Sequence, residues 1–236
     1  IAKEDITVAT NIMEARTLQG DNHLLQHLRL DTAPDKMWAN DDFFLAKLNE
    51  QRERHAKYNH TEYNLEPNIK NAPGGLRDIQ TIKWVAKRFF NVDSFEQLNS
   101  TGLFTEKEYT ILADGEAFLW RVRYGLHMIA NRPEERLLFE HQRELATLFG
   151  YKDNDERMAV EQFMHRFYRI ALALRELNDV LLQFLDEAIV KQGQDTEIVP
   201  LNDRFQLRNG YIEITHTKVF TETPSALLEV FVLLGR

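Results

Sequence analysis

The stretch DERMAVEQFMHRFYRIALALRELNDVLLQFLDEAIV, residues 155–190, decides the fold class. Within it Val160, Phe163, Phe167, Ile170, Leu174, Leu177, Leu181, Phe184 and Ala188 recur at steps of three and four. That is a period of about 3.5, which an α-helix turns into one continuous apolar face. At 1.5 Å per residue, a helix from about Asp155 to Val190 runs on the order of 50 Å, and its apolar face must be covered by antiparallel partners at bundle-like crossing angles. The aromatic bulk of Phe163, Phe167 and Phe184 suits an irregular bundle core better than a regular zipper seam.

The partners are legible on the N-terminal side. A shorter helix is predicted from about Glu140 to Phe149, stopping at Gly150, a residue able to take the left-handed conformation beyond a helix end. Thr105 and Glu108 form a capping-box pattern that opens a helix through Leu112, Leu119, Val122, Leu126 and Ile129, with Pro133 closing it. Leu76, Ile79, Ile82, Ala86 and Phe89 give an amphipathic helix ending near Phe90, and a further helix from Asp41 carries Phe44, Leu48, His55 and Tyr58 on one side. Ile6 to Arg16 is a short amphipathic pattern, followed by a brief strand near Arg16 to Leu18 and a turn at Gly20-Asp21.

On the C-terminal side the period changes. Phe205 and Leu207, then Ile212 and Ile214, alternate about Asn209-Gly210, the dipeptide suited to the two positive φ angles of a type I′ hairpin turn. Thr223-Pro224 supplies an N-cap with proline at the first position of a last helix. The expected fold class is therefore mainly α, an irregular antiparallel helical bundle from about Asp41 to Gln192 with a short β-hairpin near the C-terminus. No internal repeat or low-complexity segment is present.

Bulk properties exclude several function classes. The 236 residues are 43% hydrophobic and 28% charged, ordinary for a globular chain. Mean hydropathy is −0.45, and no apolar run approaches the roughly 20 residues that cross a bilayer, so no membrane partner is expected. Nothing at the N-terminus resembles a signal peptide. The absence of cysteine removes disulfides, thiol catalysis and thiolate metal sites, and suits a cytoplasmic protein. A net charge of −8 repels polyanions, so no nucleic-acid partner is expected, although a local basic cluster could hold one phosphate. The chain begins at Ile1, and the apolar pattern Ala226 to Leu234 simply stops at Gly235-Arg236; both ends read as cuts from a longer polypeptide.

Chemistry points to the long loop before the helix at Leu76. Asn59, Asn64, Pro67, Asn68, Asn71, Pro73, Gly74 and Gly75 favour turns and special backbone angles, and long loops inside compact domains are often functional. Gly74 and Gly75 stand at a helix start with Lys70 before them and Arg77 and Asp78 just inside. Free backbone amides and the positive end of the helix dipole attract an anion, glycine lets the backbone approach it, and Lys70 and Arg77 add charge. Lys70, Gly74, Gly75, Arg77 and Asp78 are therefore the candidate nucleotide or phosphate site. The same pattern also fits a tight architectural turn with Asp78 neutralising the dipole, and spacing alone leaves both open.

Asp153-Asn154-Asp155 follows Gly150 and precedes the long helix, where N-caps sit, so it is read as capping and not as a metal pair. His23 and His27 lie four apart with no adjacent acid and are read as an exposed helix face. There is no P-loop and no dinucleotide fingerprint. Arg121 and Arg123 are read as buried arginines paired to acids such as Glu116 or Asp186, with ligand contact as the alternative. Trp38, Trp84 and Trp120 are expected in the core.

Tyr63-Asn64-Leu65-Glu66-Pro67, then Asn68-Ile69-Lys70 and Pro73-Gly74-Gly75-Leu76-Arg77-Asp78-Ile79, then Trp84, are similar to the signature of the central domain of bacterial PII uridylyltransferase/uridylyl-removing enzymes. A related lysine, glycine-pair, arginine and acid pattern occurs in glutamine synthetase adenylyltransferases. Leu119-Trp120-Arg121-Val122-Arg123, His127, Arg136 to Phe139 and Gln142 resemble the next helical block. Glu176-Leu177-Asn178, Leu181-Leu182 and Asp186 to Ile189 resemble the long helix, and Phe205 to Arg208 with Ile212 the following hairpin.

The resemblance implies an enzyme that transfers a uridylyl group from UTP to a tyrosine of the signal protein PII when glutamine is scarce, and removes it hydrolytically when glutamine is plentiful. Transfer belongs in that family to an N-terminal nucleotidyltransferase domain whose paired aspartates hold Mg²⁺, and removal to a downstream His-Asp metal domain followed by regulatory domains. None of those catalytic motifs is in this sequence, so no catalytic or metal-ligating residue is assigned. The chain alone is expected to be inactive, with Mg²⁺ and UTP not bound tightly by it and glutamine acting through other domains. The implied division is 1–30 as the end of the nucleotidyltransferase domain, 31–195 as the helical domain, and 196–236 as the hairpin and helix leading to the hydrolase domain. Lys70 to Asp78 would face the nucleotide cleft from the helical side. The rival reading is a purely structural or protein-interaction bundle.

Overall fold

The computed structural model describes residues 1–92, 97, 102, 104–190, 198–208 and 210–235. The chain divides into two compact units, residues 1–190 and 191–236.

The first unit is helical: α1 (Ile6–Met13), α2 (His23–Asp31), α3 (Asn40–Ala56), α4 (Leu76–Phe90), α5 (Glu106–Ala130), α6 (Phe139–Leu148) and α7 (Ala159–Ile189). The long helix α7 is the axis on which α3, α4, α5 and α6 pack. Its Phe163, Phe167, Leu174 and Leu181 join Ile79 and Ile82 of α4, Leu119 and Val122 of α5, Leu145 of α6 and Phe43 and Phe44 of α3 in one continuous core. Burial of these side chains is the main stabilising term, at about 1.5–3 kcal/mol each.

Two details of α7 differ from the expectation. It begins at Ala159, one turn later than Asp155, because residues 153–158 form the cap: Asp153 Oδ1 accepts from Ala159 N at 2.7 Å, and Met158 N donates to Glu161 Oε2 at 2.9 Å. Phe184, predicted on the core face, is 45% exposed, whereas Leu182, Leu185 and Ile189 are buried. A helix of 3.6 residues per turn drifts about 20° per heptad against a 3.5 repeat, and over 31 residues the buried stripe moves off Phe184.

Other boundaries follow local chemistry. Thr105 and Glu108 make the reciprocal capping box at the start of α5. Gly150 takes φ +82° after α6, and Tyr151 N closes onto Ala146 O at 3.0 Å. Arg16 to Leu18 is irregular backbone and not a strand, since three residues with no neighbouring edge cannot form a ladder. Trp84 is buried, but Trp38 and Trp120 are only partly so, packing at the margin of the core. None of the described helices is long and apolar enough to cross a membrane.

The second unit holds a three-stranded antiparallel sheet in the order β1 (Ile198–Pro200), β2 (Phe205–Arg208), β3 (Tyr211–Ile214). The hairpin register pairs Phe205 with Ile214 and Leu207 with Ile212. Gly210 has φ +85°, while Asn209 lies outside the described residues, as does Gln192, the expected end of the bundle. Strand β1 is too short to leave a periodic signal. After α8 (Val219–Glu222), Thr223 and Pro224 form a turn, with Ala226 N donating to Thr223 O at 2.9 Å, so α9 (Ala226–Leu234) begins later than the Thr-Pro pattern predicts. Phe205, Val219 and Ala226 form the small core of this unit.

Candidate functional site

The segment from Asn59 to Gly75 is held as a strap across the bundle. Asn64 and Asn68 use their side-chain oxygens to accept amides within their own turns, from Glu66 N at 3.0 Å and from Asn71 N at 2.7 Å. Short amide side chains do this readily, which is why asparagine recurs here. The strap then bonds to its surroundings. Ile69 N donates to Glu135 O and Leu137 N to Pro67 O, both at 2.9 Å, about an isolated bridge between Asn68 and Arg136. Gln142 Nε2 donates to Leu65 O at 2.7 Å, Tyr168 Oη to Asn64 O at 3.0 Å, and the buried Glu62 carboxylate pairs with Arg175 of α7.

The strap reaches α4 through a buried polar knot. Asp78, fully buried in the first turn of α4, accepts from Arg54 at 2.6 Å, lies 2.9 Å from His55 Nε2, and accepts from Gly74 N at 2.8 Å. Arg54 also donates to Asn71 O at 2.8 Å. An ionised carboxylate can be buried only with such partners, and here they come from two segments of chain, α3 and the strap, joined through α4.

This geometry answers two parts of the sequence reading. The amide seat is filled from within: Gly74 N bonds to Asp78, Gly75 N to Ala72 O, Leu76 N to Ile69 O, Arg77 N to Lys70 O and Asp78 N to Gly75 O. Asp78 is likewise sealed, its side chain 1% exposed. The glycines have a packing reason: Gly74 sits at φ +74°, and a Cβ there would lie 2.1 Å from Ala171 O of α7. Gly74, Gly75 and Asp78 thus build the joint, and an anion here would meet side chains in place of amides.

Lys70 and Arg77 are different. The hydrogen bond from Arg77 N to Lys70 O, 2.8 Å, sets their backbones side by side. Both are partly buried, and neither has a carboxylate within ion-pair reach among the described residues. The cations around them are paired: Arg54 with Asp78, the buried Lys47 with Glu50 at 2.7 Å, and Arg123 with Glu135. Arg77 and Lys47 both stand over Trp84, at 5.3 and 4.6 Å from the ring centroid. Burial pulls the Arg77 guanidinium below its ordinary value, Arg54 and Arg123 push the same way, and Glu50 and Glu135 act against them. Lys47 is lowered by burial as well, against the Glu50 hydrogen bond. In Arg123 the hydrogen bond it donates to Glu135 outweighs burial and raises it.

Arg123 therefore pairs with Glu135, not with Glu116 or Asp186; Glu116 binds Lys83 at 2.5 Å. Arg121 is exposed and stacks on Phe149. Arg54, Lys47, Glu62 and Glu135 were not singled out by sequence reasoning, which placed His55 only on an apolar helix side. The partners of Asp78 lie 23 and 24 positions away, beyond any local spacing rule. Among the described residues no group of three or more His, Asp or Glu is placed to hold a metal ion, and no step is assigned through one.

Two family models match the chain. Residues 42–182 match the family model described as GlnD PII-uridylyltransferase, and residues 205–236 match that of the uridylyltransferase GlnD third domain. The chain is 54% identical over 235 residues to the bifunctional uridylyltransferase/uridylyl-removing enzyme of Pseudomonas aeruginosa strain LESB58, covering 100% of this chain and 26% of that protein. Against the enzymes of the same name from Azotobacter vinelandii strain DJ and Pseudomonas syringae pv. syringae strain B728a, identity is 52% and 49%, over 100% and 99% of this chain and 26% of each relative. The chain thus spans about a quarter of the length of these curated relatives. No solved structure matches. The strap, the knot and most of the long helix fall within the residues matched by the first model, and the chain belongs to the GlnD PII-uridylyltransferase family.

Proposed function

We propose that this chain is the central helical part of an enzyme that uridylylates PII from UTP and removes the group again, and that Lys70 and Arg77 serve the transfer half-reaction. The supporting observation is the contrast in pairing: two adjacent cations without carboxylates, beside Lys47, Arg54 and Arg123, each of which has one. A partly buried guanidinium whose charged form is disfavoured by burial and by neighbouring cations gains most from an anion brought alongside it. A triphosphate, or an acidic surface of PII presented with it, supplies that anion. Catalytic acids, Mg²⁺ and the hydrolytic metal centre belong to other parts of the protein, as do the glutamine-sensing domains. The helical unit contributes charge at the edge of the nucleotide site and a rigid connection between the two activities.

In the full protein, Lys70→Ala with Arg77→Ala should lower uridylyl transfer to PII by about tenfold or more, as expected when charge contacts to a reacting phosphate are lost. Removal of uridylyl groups by the same variant should stay near the unsubstituted rate. Unchanged transfer in a stably folded double variant would leave the architectural reading, in which this unit only spaces and connects its neighbours.

A further inference from the structure

Three of the arginines without a carboxylate partner among the described residues surround one groove. Arg121 of α5 and Arg166 and Arg169 of α7 line a cavity of about 640 Å³ between the two helices. A smaller lobe of about 270 Å³ shares Phe118, Arg121 and Arg166 and extends to Phe149 and Tyr151. By contrast Arg54 is paired with Asp78, Arg123 with Glu135 and Arg175 with Glu62. Asp114 is the one acid lining the larger lobe. Three guanidiniums against one carboxylate leave two positive charges in a chain whose net charge is −8.

The groove is built and not merely a gap. Helices α5 and α7 meet at Gly115, where a Cβ would come 2.8 Å from Leu174 Cδ2, so the floor closes at that contact. Arg166 stacks over Phe118 at 5.0 Å and Arg121 over Phe149 at 5.6 Å. A guanidinium laid on a ring keeps its planar fork of N–H donors directed away from the ring, and that fork matches phosphate oxygens two at a time. Between the arginines the wall is apolar, with Ile111, Ala117 and Ile170. The volume lies in the range of small-molecule sites, about 300–1,000 Å³.

We propose that this groove binds a small molecule carrying two or more phosphates on a planar body, the chemistry of a nucleoside polyphosphate. The arginines take the phosphates and the apolar wall takes the body. The site uses none of the residues assigned to the transfer reaction, so the two readings succeed or fail separately.

Calorimetric titration of the chain with ATP, UTP and inorganic tripolyphosphate tests it. The expected result is saturable nucleotide binding, weakened by at least about tenfold in the Arg121→Gln, Arg166→Gln, Arg169→Gln triple variant and retained in the Lys70→Ala, Arg77→Ala variant. All three arginines are exposed, so the triple variant should melt with the unsubstituted chain; if it melts early, Arg166→Gln alone should still weaken binding several-fold. Three results would overturn the proposal: no saturable binding of either nucleotide, undiminished affinity in the triple variant, or loss of binding only in the Lys70 and Arg77 variant. Tripolyphosphate binding as tightly as the nucleotides would overturn the assignment of the planar body.

Discussion

At Gly74 two requirements coincide, a left-handed φ of +74° and a Cβ position occupied by the carbonyl of Ala171. Gly74→Ala must therefore pay both backbone strain and overpacking, together about 3 kcal/mol or more. Gly20, at φ +101° with nothing within 4 Å of its Cβ position, separates the two. Urea unfolding should show Gly20→Ala costing only the strain, about 1 kcal/mol. Equal losses at the two sites would show that α7 does not press on the glycine. Lys47 makes a second residue-level prediction. Its folded-state value is lowered chiefly by burial, so between that value and the ordinary lysine value the unfolded chain holds more protons than the folded one. Stability from this group thus rises with pH in that window. Urea stability of the unsubstituted chain relative to Lys47→Met should increase from neutral pH to about pH 10, and a constant difference would contradict the assignment. Neither effect was legible in sequence. The glycine pair announced a special turn, but not that a helix more than 90 positions later sets its limits.

At the scale of elements, the strap depends on the Asp78 knot more than on any helix propensity. Removing the carboxylate leaves Arg54 and His55 buried without their acceptor and frees the Gly74 amide. Asp78→Ala should cost about 3–5 kcal/mol in denaturant unfolding, the usual penalty for breaking a buried charge pair from one side. A loss under about 1 kcal/mol would mean that the strap is held from the α6 and α7 sides alone. The elements themselves were largely readable, because α4, α5 and α7 carry long apolar periods and α5 carries a capping box. What misled the reading was gradual or short: the stripe of α7 drifting off Phe184, the strand β1 of three residues, and the isolated Arg16 to Leu18 segment without a partner. In the site, sequence grouped Lys70, Arg77 and Asp78 as one constellation. The fold separates them, since Asp78 faces inward to Arg54 and His55 while the two cations keep no acid.

For the whole molecule, a mainly helical chain spanning about a quarter of its relatives' length sets local cationic features against an acidic total. Its net charge of −8 repels a polyphosphate at long range, so recognition has to come from short-range sites, where neighbouring groups and not the total decide the potential. The Lys70 and Arg77 pair, at the joint between strap and bundle, is where we propose such a site for the transfer reaction. The most direct test is a crystal structure of the full protein with Mg²⁺ and a non-transferable UTP analogue. The account predicts a phosphate oxygen within about 3.2 Å of the Arg77 guanidinium or the Lys70 ammonium. Phosphates held entirely by other residues, with both cations turned to solvent or to protein acceptors, would contradict it.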